Sequence, residues 1–119
     1  MATHNWGKVK EVMIEMLEGE GIEVDGYEGV PKELDDLGIS HLCTVSDMLR
    51  SLLAEKATLI SHEWMYYETE EESGWRYHSM WKLNNYYVVV YEEPYYLFAR
   101  AYYDEEHAKK ELNRLIQKQ

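Results

Sequence analysis

Fourteen of the sixteen aromatic residues in this chain lie between Trp64 and Tyr103, and ten of its eleven tyrosines fall in the same span. Large flat side chains interleaved with β-branched residues fit a pleated, half-buried surface, so the span is constrained to strands. The rings either build the core or form a binding platform. From Thr58 onward Gly and Pro occur only where turns are expected. Glu70 to Gly74 reads as one hairpin loop, Asn84-Asn85 as a turn, and Glu93-Pro94 as a second hairpin loop.

These signals predict two hairpins, residues 58–83 and 86–103. In the first, pairing Thr69 with Trp75 sets Glu68 against Arg76, Tyr67 against Tyr77, Tyr66 against His78 and Trp64 against Met80. In the second, pairing Glu92 with Tyr95 separates two faces. One carries Val88, Val90, Leu97, Ala99 and Ala101. The other carries Tyr87, Val89, Tyr91, Tyr96, Phe98, Arg100 and Tyr102 and is almost wholly aromatic.

The remaining segments have helical spacing. Trp6, Val9, Val12, Met13, Met16 and Leu17 define a helix at about 5–19, capped by Thr3 or Asn5 and ended by Gly19 or Gly21. A short extended piece, Ile22-Glu23-Val24, and an Asp25-Gly26 turn follow. Pro31 opens a short helix that stops at Gly38. Thr44 and Asp47 have capping-box spacing and predict a helix at about 45–57 with Val45, Met48, Leu49, Leu52 and Leu53 on its apolar face. Asp104 caps a last helix at about 104–118, where Ala108, Leu112, Leu115 and Ile116 form a narrow stripe. Lys109, Lys110, Arg114 and Lys118 lie toward its C-terminal end, which suits the helix dipole. The expectation is one α+β domain, with a largely antiparallel four-stranded sheet and the helices on one side of it.

The order from residue 5 to 83 resembles a winged helix-turn-helix domain. The resemblance implies that the helix at 45–57 takes the recognition position and the hairpin at 59–83 the wing. It covers about two thirds of the chain and is topological, with no signature motif. The wing tip would be Glu70-Glu71-Glu72, where a DNA binder wants Lys or Arg. The helix offers Arg50 and Lys56 against Asp47 and Glu55. A winged-helix fold with these charges is turned toward protein contacts.

Charge narrows the partner. The formal net charge is −11 and unevenly spread. Residues 11–36 hold ten acids and one base, Lys32; residues 63–72 hold five acids and no base. A phosphate backbone is repelled unless cations gather on one face, so nucleic acid is disfavoured and a basic protein partner fits. The same two foci, centred on Glu70, Glu71 and Glu72 in the second, also suit a DNA mimic that inhibits a DNA-binding protein.

Other chemistry finds little purchase. The single cysteine, Cys43, permits no internal disulfide and suits a reducing, cytoplasmic setting. No apolar run approaches the roughly 20 residues of a membrane helix, and the N-terminus does not read as a signal peptide. A metal site would need His41, Cys43, His62 and His78 to gather, without the paired-ligand spacing of structural zinc. Cys43 and His41 are two apart and lack an orienting group. There is no Walker loop, dinucleotide fingerprint or His-Glu-x-x-His motif, so no cofactor and no catalytic set is implied. The expected role is a non-enzymatic binding or regulatory module acting through protein contacts. Its contact surface would be Tyr87, Tyr91, Tyr96, Phe98, Arg100 and Tyr102, serving a protein partner or a homodimer. The alternatives are a winged-helix regulator, the DNA-mimic inhibitor, and a small ligand-binding protein whose pocket is lined by Tyr66, His78 and Tyr87.

Overall fold

The computed structural model describes residues 5–117. The elements are α1 (Trp6–Glu18), β1 (Ile22–Asp25), α2 (Lys32–Asp35), α3 (Leu42–Lys56), β2 (Thr58–Glu68), β3 (Ser73–Leu83), β4 (Tyr86–Glu93), β5 (Tyr96–Tyr102) and α4 (Glu105–Gln117). The sheet has five strands, not four, in the antiparallel order β1-β5-β4-β3-β2. The extra strand is the short extended piece after α1. Its apolar residues Ile22 and Val24 stand opposite Ala99 and Leu97 and are fully buried.

Local signals account for most element ends. The Asn5 side chain accepts the Lys8 N–H at 3.2 Å, and the Asp104 carboxylate accepts the His107 N–H at 2.6 Å. Thr3 and Lys118 lie outside the described residues. At the other end of α1, the Gly19 and Gly21 amides return to carbonyls of the last turn. Gly21 has φ +99°, and a side chain there would meet the Ala99 carbonyl at 2.7 Å, so only glycine lets α1 turn onto the sheet edge. α3 begins three residues earlier than expected. His41 occupies its N-cap position and Thr44 lies inside the helix, because Leu42 packs against the core and extends the apolar face by a turn.

The element order over residues 5–83 is the one the winged-helix resemblance implies, but that segment does not close its own sheet. β1 pairs with β5, and β4 and β5 stand between it and the β2–β3 hairpin.

The helices also divide. Val88, Val90, Leu97, Ala99 and Ala101 face α1 and α3 in one buried cluster with Met13, Leu17, Leu49 and Leu53. The intervening Val89 and Tyr91 face the other way, with Met80 and Tyr102, under Ala108, Leu112 and Leu115 of α4. The sheet is thus sandwiched rather than covered on one side. The narrow stripe of α4 is wide enough because the rings beneath it already span much of that face.

Candidate interaction site: a groove between α3 and the first hairpin

The two hairpins close in different registers from those the sequence suggests. In the second, Glu93 stands opposite Tyr96 and Glu92 opposite Leu97, a shift of two that keeps both faces as expected. The turn is Pro94-Tyr95, with Tyr95 at φ +69°. In the first, Glu68 pairs with Ser73, Tyr66 with Trp75, Trp64 with Tyr77 and Glu63 with His78. The loop is only Thr69 to Glu72, held by the Thr69 N–H and hydroxyl on the Glu72 carbonyl at 2.7 and 3.0 Å. This displacement is odd, so it exchanges the faces of β3 relative to β2. Arg76 faces Met65 rather than Glu68, and donates to the Ile116 carbonyl at 3.2 Å.

The consequence is an aromatic cluster on the α3 side. Trp64, Tyr66, Trp75 and Tyr77 now share one face. Trp64 lies 4.5 Å from Tyr77, 5.5 Å from Trp75 and 6.3 Å from Tyr66 between ring centroids, spacings at which ring pairs attract. On the opposite face Gly74 leaves space for Tyr67. A Cβ there would stand 2.9 Å from Cε1 of Tyr67 and closer still to its hydroxyl oxygen.

The hairpin extends past the helices, so part of this cluster stays in solvent: Trp64 is 49% exposed and Tyr66 79%. Trp64 and Trp75 form one wall of a groove of about 390 Å³. The other wall is the N-terminal half of α3, with Leu42, Ser46, Asp47 and Arg50. The end is closed by the Pro94-Tyr95 turn. Tyr95 is 63% exposed and tilts against Tyr27 at 5.5 Å, while its carbonyl accepts the Gly26 N–H at 2.7 Å. These contacts hold a residue with a side chain in a backbone region that normally suits glycine. Behind Ser46, Arg50 and Glu92 lies a separate cavity of about 20 Å³ beside Leu49, Leu53 and Trp81, room for about one water.

The floor carries the chain's one nearly buried carboxylate among the described residues, Glu92 at 7% exposure. It accepts the Ser46 hydroxyl at 2.5 Å and the Arg50 guanidinium at 3.3 and 3.4 Å. A buried charge persists when it is paired and hydrogen-bonded in this way. Arg50 is therefore paired with Glu92 although its side chain stays 54% exposed, and Asp47 is exposed on the rim. The second basic residue of the helix, Lys56, sits in its last turn. The described solvent face of α3 presents no positive stripe.

The sequence-predicted surface fares unevenly. Tyr91 and Tyr102 are 2% and 7% exposed beneath α4, and Tyr87, Tyr96 and Phe98 are half-buried around the same cluster. Arg100 is exposed, its guanidinium 5.5 Å from the Tyr102 ring. The Tyr91 hydroxyl donates to Glu93 at 2.5 Å and that of Tyr96 to Glu23 at 2.6 Å. Burial, reinforced by those carboxylates, raises both phenols above their ordinary range and keeps them protonated donors. This face is mainly core, as α4 covers it.

Tyr66 and His78 do not line one pocket: the odd shift puts them on opposite faces, with Tyr87 on the His78 side. Burial lowers the His78 imidazole below its ordinary value, opposed by Glu63 across the ladder. Among the described residues no three His, Cys, Asp or Glu side chains gather as a metal site, so His41, Cys43 and His62 do not converge. Glu70, Glu71 and Glu72 form the exposed hairpin tip at the β2 edge. Residues 11–36 belong to α1, β1 and α2 at the opposite edge. The fold does not join the two acidic foci.

No family model, curated protein or solved structure matches this chain. The groove's chemistry must carry the functional reading.

The groove itself was hidden from sequence reasoning by the register. Two signals pointed to it. Glu92 continues the core-facing alternation of Val88 and Val90, so a carboxylate belongs on a buried stripe. Pro94-Tyr95 between two strands demands a positive φ at a bulky residue.

Proposed function

We propose that this protein is a non-enzymatic binding module that captures a basic segment of another protein in the groove between α3 and the β2–β3 hairpin. The observation that carries this reading is the half-exposed Trp64–Trp75 wall facing Asp47 across a mostly apolar groove, beside a hairpin tip of three carboxylates. Exposed aromatic rings in a concave site supply the large contact area on which protein interfaces depend. Carboxylates around them attract cations at long range and reject polyanions. A lysine or arginine entering the groove meets ring faces and a carboxylate together, an arrangement that favours a desolvated cation.

The test is a titration with a peptide in which a leucine anchor is flanked by lysines. Tryptophan fluorescence reports occupancy in wild type, in Trp64→Ala, and in a Glu11→Gln/Glu15→Gln control on α1. Loss of the ring wall should weaken binding about tenfold or more, and the control should bind as wild type does. Equal binding by wild type and Trp64→Ala, with weakening in the α1 control, would show charge attraction without a site and overturn the proposal.

A further inference from the structure

β2 is an edge strand and an unusually open one. It spans Thr58–Glu68, eleven residues, and among the described residues its one neighbouring strand is β3. Half of the backbone N–H and C=O groups of such a strand point away from the sheet and offer a ladder to another chain. Edges are normally blunted by shortness, proline, charged side chains (lysine above all), bulges or a covering element, and of these β2 has only Glu63, Glu68 and one irregularity. The opposite edge, β1, has four residues. β2 contains no proline, lysine or arginine. Its one irregularity, between Leu59 and Ser61, lies at the end away from the hairpin tip and leaves Ser61–Glu68 in unbroken register.

The side chains on this edge state what would pair with it. On the α3 face it presents Trp64 and Tyr66 between His62 and Glu68; on the α4 face it presents Glu63, followed by Met65 and Tyr67. Residues 63–72 hold five acids and no base. A strand laid beside Ser61–Glu68 places alternate side chains against the rings and the others near Glu63. An extended segment alternating apolar and basic residues satisfies both. A second copy of this chain would bring the same acidic, base-free strand against itself.

We infer that β2 accepts an extended, alternating apolar and basic segment of a partner protein as a sixth strand, its apolar side chains continuing the Trp64 wall of the groove. This rests on the proposed function and adds how the segment is held: by main-chain hydrogen bonds along β2.

The experiment uses the whole chain and three peptides of alternating valine and lysine, long enough to run beside Ser61–Glu68. One is unmodified. The second carries N-methyl groups on the alternate amides of one edge, and the third carries them on the other edge. Hydrogen exchange and calorimetry are read together. The inference expects new protection of alternate β2 amides with the unmodified peptide, and a loss of affinity of about tenfold or more when the β2-facing edge is methylated. Equal affinity of all three peptides without β2 protection overturns strand addition and leaves the groove reading standing. Failure of every peptide to bind, even at low salt, overturns both. Protection of β2 without peptide, growing with protein concentration alongside a dimer mass, assigns the edge to a second copy and overturns the inference.

Discussion

Replacing Leu112 by alanine separates the covered aromatic face from the open one. Leu112 is 8% exposed and packs from α4 onto the cluster of Met80, Val89, Tyr91 and Tyr102. Buried Leu→Ala changes cost about 2–5 kcal/mol, depending on how far the site collapses. α4 docks through a single narrow stripe and can settle inward, which places the cost near the lower end, about 2.5 kcal/mol. At about 2.1 cal/mol/K per residue, a chain of this length has an unfolding entropy of about 0.25 kcal/mol/K, so Tm should fall by about 10 °C. Thermal unfolding followed by circular dichroism gives the shift, and a hydrophobic dye reports exposure of the rings. Leu59→Ala on exposed β2 serves as the comparison and should cost less than about 1 kcal/mol. A loss below about 0.5 kcal/mol at Leu112 would mean that α4 does not cover this face. The aromatic surface expected from the sequence would then be open after all.

Gly74→Ala should destabilise the first hairpin by about 1–3 kcal/mol, because the new Cβ displaces the Tyr67 ring. Adding Tyr67→Ser should recover most of that loss in urea titrations. At Tyr95, φ +69° suits asparagine and strains a β-branched side chain. Tyr95→Asn should keep stability within about 1 kcal/mol, and Tyr95→Val should lose about 2 kcal/mol, measured by the same titrations. Both should weaken peptide capture by removing the ring that closes the groove. For His78, burial holds the folded imidazole below its ordinary value of 6.5, so the unfolded chain takes up the proton first. Its contribution is therefore fully present above pH 6.5 and is lost as pH falls through the folded value. His78→Gln should flatten the fall in stability between neutral and acidic pH; an unchanged slope would place the dependence elsewhere.

Periodicity made much of the fold legible. The stripes of α1, α3 and α4 are buried where spacing puts them, and the two faces of the second hairpin separate as the alternation of Val88 to Ala101 requires. A shift of two residues there did no harm, since side chains alternate with period two. The first hairpin shows the opposite case. Cross-strand attraction between Glu68 and Arg76 is worth a fraction of a kcal/mol. It yields to a short loop clamped by Thr69, to the Trp64–Tyr77 contact and to the space above Gly74. A three-residue difference then moves Trp64 and Trp75 onto the α3 face, and with them the groove. Which side of the sheet α4 would cover was also beyond the sequence. Both faces are apolar enough to be buried, and only the packing of α1 and α3 on one of them leaves the other for α4.

On the proposed function the groove, and not diffuse negative charge, recognises a basic segment. The most direct measurement is a map of amide and indole N–H chemical shifts on adding the lysine-flanked leucine peptide at moderate salt. With the segment in the groove, the Trp64 and Trp75 indoles and the amides of Ser46 to Arg50 should move together and saturate. Shifts confined to residues 11–36, or scattered over every acidic surface without saturation, would contradict it.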